Sequence, residues 1–182
     1  MKGIYLSNLP LSAKVLCTLL LLGLGLGFLS AIAQEVTAIG LSYEDVKSSF
    51  AGEMPMMKME HGKMSAEQEI DIGQLGTSGK VYIRTPLLIQ TSHTHFFGVN
   101  LICGLLGLIF IFSSLPEWKK VVVLVLLFDG IIINIAGMWL THFIWPPFAV
   151  LVLIGGISTF LGYAIVSVVS LYELWLKKEA YT

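Results

Sequence analysis

Charge is what this sequence has least of. Of its 182 residues only 13% are Asp, Glu, Lys or Arg, while 55% are hydrophobic, and the mean hydropathy is +0.82. A soluble domain of this length cannot cover its surface with so few charges. Neither sign predominates, since the formal net charge is −1, so the basic surface that a nucleic-acid partner demands is missing. Cysteine is almost absent. Cys17 and Cys103 each lie within an apolar run, with no CxxC, no CxxCH and no disulfide framework, and buried packing is their default role. Also missing are a nucleophile elbow, a phosphate-binding loop, a zinc-hydrolase motif and a paired carboxylate site. No catalytic residue is indicated, and a self-contained enzyme is disfavoured.

What is present is a set of four apolar runs, each long enough to cross a bilayer core of about 30 Å as a helix of about 20 residues. They extend from about Leu11 to Ala33, from Pro86 to Ser113, from Val121 to Leu140 and from Phe148 to Leu174. Thr85 reads as the N-cap of the second, with Pro86 in its first turn. The pattern predicts an all-α integral membrane protein, a four-helix bundle. Residues 1–33 form the N-terminus and first span, 34–85 an extracytoplasmic segment, and 86–182 a three-helix membrane region.

Lys2 and Lys14 precede span one, Lys119 and Lys120 join spans two and three, and Lys177 and Lys178 follow span four. The turn THFIWPPF between spans three and four has no Lys or Arg. The positive-inside rule then predicts both termini in the cytoplasm, with Trp118 and Trp175 at the inner interface and Trp139 and Trp145 at the outer one. Span one has an alternative reading as a signal peptide cleaved after Ala31-Ile32-Ala33. Its apolar run exceeds the usual 7–15 residues of a signal-peptide core, which favours a retained helix. Gly23 and Gly27 form a GxxxG pattern around Gly25, suited to packing against another span.

In the segment 34–85, LSYEDVKSSF reads as a short amphipathic helix, and Ser65-Ala66-Glu67-Gln68 fits a capping box opening a second helix to about Leu75. Gly73, Gly76 and Gly79 punctuate the return to the membrane. Between those helices stand Met54, Met56, Met57, Met59 and Met64, with His61 among them. Thioethers with an imidazole are a ligand set suited to Cu(I); methionines packing a loop onto apolar surface are the alternative.

Three further histidines are placed by counting. The stretch from Phe96 to Ser113 is about 27 Å of helix and Val121 to Leu140 about 30 Å, which brings His95 and His142 to the same outer boundary, with His93 slightly above. On a regular helix His93 and His95 point about 200° apart, so a site uses one of them with His142. Two imidazoles at one depth can ligate a b-type haem or hold copper; the alternative is that they hydrogen-bond to water and headgroups. Deeper in the membrane, Asp129 carries a cost of at least about 2.5 kcal/mol and is expected to face the bundle interior, near Thr18, Tyr163 and Ser167. Asn100 and Asn134 fall at equal depth and are expected to pair. Gly155, Gly156, Ser158, Thr159, Gly162, Ser167 and Ser170 give span four the small-residue content of a tight helix contact.

Four features, GLSYEDVKSSFAG after span one, SHTHFFG at the start of span two, Asp129 before a Trp-containing turn, and PPFAVLVLIGG leading to LYELW, resemble an uncharacterised group of small bacterial four-span membrane proteins. The resemblance covers most of the chain and implies a bacterial inner-membrane location. Some members carry a CxxCH haem-attachment motif in the external segment, implying electron transfer. Here MPMMKMEH stands in that region, so a c-type haem is excluded and the electron-transfer implication is weakened.

Three functions follow as expectations. The first is a non-catalytic membrane subunit or accessory protein, in contact with lipid and other membrane subunits, with metal at its outer face left open. The second is an electron-transfer subunit holding haem or copper between His93 or His95 and His142. The third is a small proton-linked transporter using Asp129, which four short spans without an internal repeat make the weakest.

Overall fold

The protein, in a computed structural model, is described over residues 5–51 and 83–177. His61, Met54, Met56, Met57, Met59 and Met64, the helix expected from Ser65 to Leu75 and the glycines after it lie outside the described residues. Among the described residues six α-helices are formed: α1 (Leu11–Ala38), α2 (Tyr43–Phe50), α3 (Thr85–Thr94), α4 (Asn100–Phe110), α5 (Glu117–Phe143) and α6 (Ala149–Trp175). A π-helical turn, His95–Val99, joins α3 to α4 without a break. Four helices are therefore long and apolar enough to cross a membrane, and the expected all-α, four-helix membrane architecture is what the chain adopts.

The breaks between helices have local causes. Pro10 and Pro116 stand at the N-caps of α1 and α5, and Pro146-Pro147 turns the chain from α5 into α6; proline offers no N–H to continue a helix but starts one well. Gly40, at φ +94°, swings the chain out of α1, a conformation open to glycine. Ser42 then caps α2, its Oγ accepting from the Asp45 N–H at 3.1 Å, so α2 is the amphipathic helix expected in LSYEDVKSSF. Thr85 does not cap α3: the N-cap is Arg84, without a side-chain bond, and Thr85 is already helical. α1 and α5 run beyond their apolar stretches into polar flanks, to Ala38 and from Glu117 to Phe143, since backbone hydrogen bonding continues where hydropathy stops.

The closest contact in the molecule is between α5 and α6. Gly130 meets Thr159, Asn134 meets Gly155, Gly137 meets Val152 and Leu127 meets Gly162 in one antiparallel register. A Cβ on Gly137 would stand 2.6 Å from the Val152 backbone nitrogen, and one on Gly162 2.8 Å from the Leu127 Cα. Two side chains reinforce the seam: Asn134 Nδ2 donates to the Val152 carbonyl at 2.8 Å, and Ser158 Oγ to the Leu126 carbonyl at 2.9 Å. The glycine content of α6 therefore serves packing inside the chain. α4 packs on both α5 and α6, and α1 on α4 and α6, which leaves α1 opposite α5.

α1 is held loosely. Only 6% of its central stretch is buried, through Leu21 and through Phe28 stacked on Tyr163 at 4.8 Å. Gly23 and Gly27, expected to pack against another span, have no atom within 4 Å of where a Cβ would be, whereas Gly25 packs on the Tyr163 hydroxyl. One end of the bundle carries Lys14, Lys119, Lys120 and Lys177, and the other His142. At the lysine end Leu6 plugs the core, its N–H donating to the Phe112 carbonyl at 2.9 Å. The α4–α5 turn is held by Glu173, only 3% exposed, whose Oε2 accepts from the Ser114 N–H at 2.7 Å. Lys177 reaches Glu173 at 3.5 Å, and Lys120 Nζ donates to the Ile111 carbonyl at 2.9 Å, capping the C-terminal end of α4.

The seam predicts an asymmetry among glycines. Gly137→Leu or Gly155→Leu is expected to cost about 3 kcal/mol or more, as overpacking against backbone, whereas Gly23→Leu stays within about 0.5 kcal/mol. Unfolding in a fixed detergent, followed by circular dichroism, separates the two classes. At the lysine end Glu173→Ala strands the half-buried Ser114 N–H and is expected to cost about 1 kcal/mol in the same assay.

Candidate functional site

The end of the bundle opposite the lysines is where the sequence placed its chemistry, and its geometry begins with α2. Val46 and Phe50 pack on Ile83, Leu88, Met138, Ala149 and Val152, a small core that covers the tops of α3, α5 and α6. The Ser49 carbonyl accepts from the Ile83 N–H at 3.0 Å. His142, in the last turn of α5, fastens this layer: Nδ1 lies 3.0 Å from the Phe50 carbonyl and Nε2 3.1 Å from Thr85 Oγ1. The carbonyl can only accept, so Nδ1 carries a proton and Nε2 faces the Thr85 hydroxyl. Both ring nitrogens are thus engaged, and the ring meets Phe143 edge-on at 4.6 Å.

His93 and His95 are not at this level. Along the facing helices Thr85 meets His142, Trp139 Nε1 donates to Ser92 Oγ at 2.8 Å, and Gly107 meets Leu124. Carried along that register, His95 falls near Ala136, about six residues or about 9 Å of helix from His142. The expectation of a common depth fails for a definite reason. The count sets Ser113 level with Val121, whereas the Gly107–Leu124 contact puts Phe110 opposite Val121, and it treats two unequal helix lengths as equal. His95 opens the π-helical turn, with Nδ1 2.9 Å from the Thr91 carbonyl and Glu35 of α1 within electrostatic reach. Asn100 closes the turn by donating to the Phe96 carbonyl at 2.7 Å. The two side chains take up carbonyls around the widened turn, where regular helical bonds are interrupted. His93 is exposed, its ring 4.8 Å from that of Phe97.

The expected pair of asparagines is also apart, since Asn100 bonds within its own helix and Asn134 bonds α6. Asp129 is exposed on the outside of α5 rather than turned inward. Its expected neighbours are used elsewhere: Thr18 accepts from Trp175 Nε1 at 2.9 Å and Tyr163 donates to the Leu21 carbonyl at 3.3 Å, while the buried Ser167 hydroxyl has no partner. Among the described residues no three His, Cys, Asp or Glu side chains converge as a metal site. The groups that sequence reasoning overlooked are Glu173, Lys120 and the Trp139–Ser92 bond. Only Glu173 carried a visible signal, its i,i+4 spacing to Lys177.

A structural role for His142 has a direct consequence. His142→Ala strands the Phe50 carbonyl and the Thr85 hydroxyl, at about 1–2 kcal/mol for a partly buried layer. Amide exchange over residues 43–50 is expected to accelerate by about tenfold or more, while exchange across the α5–α6 seam is unchanged.

In comparison with known proteins, no curated protein matches the chain, and no solved structure matches it either. A family model described as a transmembrane helical domain matches residues 82–181, from the approach to α3 to beyond the end of α6. That match takes in three of the four spans and more than half of the chain, and the protein belongs to this family of transmembrane helical domains.

Proposed function

We propose that the chain is a non-catalytic integral membrane subunit or accessory protein of a larger membrane complex, joined to it through α1. The observation that carries this reading is the bare glycine face of α1. Gly23, Gly27 and Ala31 follow one another at intervals of four on one exposed side, and nothing lies within 4 Å of a Cβ at either glycine. Glycine inside a helix costs about 1 kcal/mol against alanine, and in membranes such spacing serves the close approach of a second helix. The described residues supply none there, so a helix of another subunit is the fitting occupant. The positive-inside rule orients the lysine end to the cytoplasm, which puts the His142 layer and the methionine-rich segment outside. In a bacterium the membrane is then the inner one.

A second reading is favoured by one hydrogen bond. With Nδ1 of His95 bonded to the Thr91 carbonyl, the proton sits on Nδ1 and the Nε2 lone pair is left for a ligand, the arrangement common behind metal-binding imidazoles. A haem or copper site on this chain would then centre on His95. Spectra and metal content of the purified protein, compared with His95→Ala, decide it. A Soret band or stoichiometric copper lost in the variant supports this reading, and a colourless, metal-free wild type removes it.

The accessory-subunit reading is tested by releasing the protein directly from native membranes into mass analysis. A second membrane protein in fixed stoichiometry is expected. Gly23→Leu with Gly27→Leu is expected to detach it, leaving the helix content and unfolding of the chain unchanged. A chain that emerges without any such companion overturns the reading.

A further inference from the structure

Asp129 lies at the middle of α5, about 18 Å of helix from Glu117 and about 21 Å from Phe143. It is exposed and has no hydrogen-bond or ion-pair partner among the described residues. Intramembrane carboxyl groups are rare on lipid-facing surfaces because hydrocarbon offers no donor, and they pair with one another or with other polar groups instead. The described lysines and arginine, Lys14, Lys47, Arg84, Lys119, Lys120 and Lys177, all stand at or beyond the helix ends. Among the described residues no mid-depth cation is therefore placed to reach Asp129.

The surroundings of Asp129 form a continuous face. Trp118, Val122, Val125, Asp129, Ile132 and Ala136 alternate at spacings of four and three, and all six are exposed. That is the seven-residue repeat of a helix seam, with β-branched residues that pack well and one alanine that admits a close neighbour. It points away from α4 and α6, which occupy the other sides of α5.

We propose that this face is the contact between two copies of the chain, joined by hydrogen bonding between their Asp129 carboxyl groups. The bilayer supplies the argument for the occupant. Two copies inserted with the same orientation are related by a twofold axis along the membrane normal, so every residue on the axis-facing side meets its own counterpart at its own depth. A lone polar group halfway through a span is therefore certain to find a match only in a second copy. A carboxylic acid O–H donates to the facing carboxyl oxygen, and each group satisfies the other. This contact goes beyond the α1 contact proposed above and uses the opposite side of the bundle.

The test uses the full chain, purified and reconstituted alone in phosphatidylcholine vesicles, with Cys17→Ser and Cys103→Ala as background. Val125→Cys and Ile132→Cys are expected to form disulfide-linked dimers on mild oxidation. Ile157→Cys, equally exposed but on α6, is expected to give none. Between fluorescently labelled copies at fixed dilution in lipid, Asp129→Leu should lower the dimer fraction by about fivefold or more. Asp129→Asn, whose amide can still pair with itself, should keep it within about twofold of wild type. Absence of crosslinking at both seam positions overturns the proposal, as does a dimer indifferent to Asp129→Leu. Crosslinking of the seam to a different protein in native membranes, with none in vesicles, also overturns it and assigns the face to a foreign donor. The α1 reading is scored separately, since its variants lie on another helix and its readout is a different partner.

Discussion

The approach of α5 to α6 at backbone distance is the constraint on which the rest of the molecule hangs. Within a membrane no hydrophobic force drives helix to helix, because lipid tails are as apolar as leucine. Association comes from dispersion over closely matched surfaces and from polar bonds between backbones and short side chains. Gly130 and Gly137 on one helix and Gly155 and Gly162 on the other provide that match, each pair of glycines spaced by seven residues. Asn134 and Ser158 then bond to carbonyls of the opposite helix. Those bonds can form only because the missing side chains let the helices come so near.

From this hairpin the two ends of the bundle are finished in different ways. At the lysine end the difficulty is the orphan backbone groups of the α4–α5 turn, which Glu173, Lys120 and the Leu6 segment satisfy. At the opposite end it is exposed apolar surface, which α2 covers with Val46 and Phe50. His142 joins α2, α3 and α5 in that layer. Its bonds give it a fastening role in the described structure, and they set it apart from His95, whose Nε2 is not used in the same way.

The spans were legible because length and hydropathy are properties of a segment alone. So was α2, whose Ser42 cap and apolar spacing are local signals. The histidine level was not legible, because it depended on which residues of spans two and three stand opposite each other across their turn. A three-residue difference in that register moves a residue by about 4.5 Å, and the unequal helix lengths add about as much again. The glycines show a second limit. GxxxG in α1 and the seven-residue glycine spacing of α5 and α6 look equally suited to packing, and only the latter is used within this chain. Composition reveals that a helix can be approached closely, whereas the identity of the neighbour is a property of the whole fold.

The same seam explains why Asp129 faces outward. At about 100° per residue, Gly130, Gly137 and Leu127 form the side of α5 that meets α6, and Leu124 and Phe128 form the side near Gly107 of α4. Asp129 falls about 120° from the middle of either contact. Rolling α5 to bring the carboxyl inward would carry Gly130 and Gly137 away from α6 and put larger side chains where backbone now meets backbone. The cost of that exchange, on the order of several kcal/mol for overpacking at successive positions, exceeds the cost of at least about 2.5 kcal/mol of leaving one carboxyl in hydrocarbon. The packing of α5 on α6 therefore wins over the burial of Asp129, and the carboxyl is left on a face of α5 that the described residues do not cover.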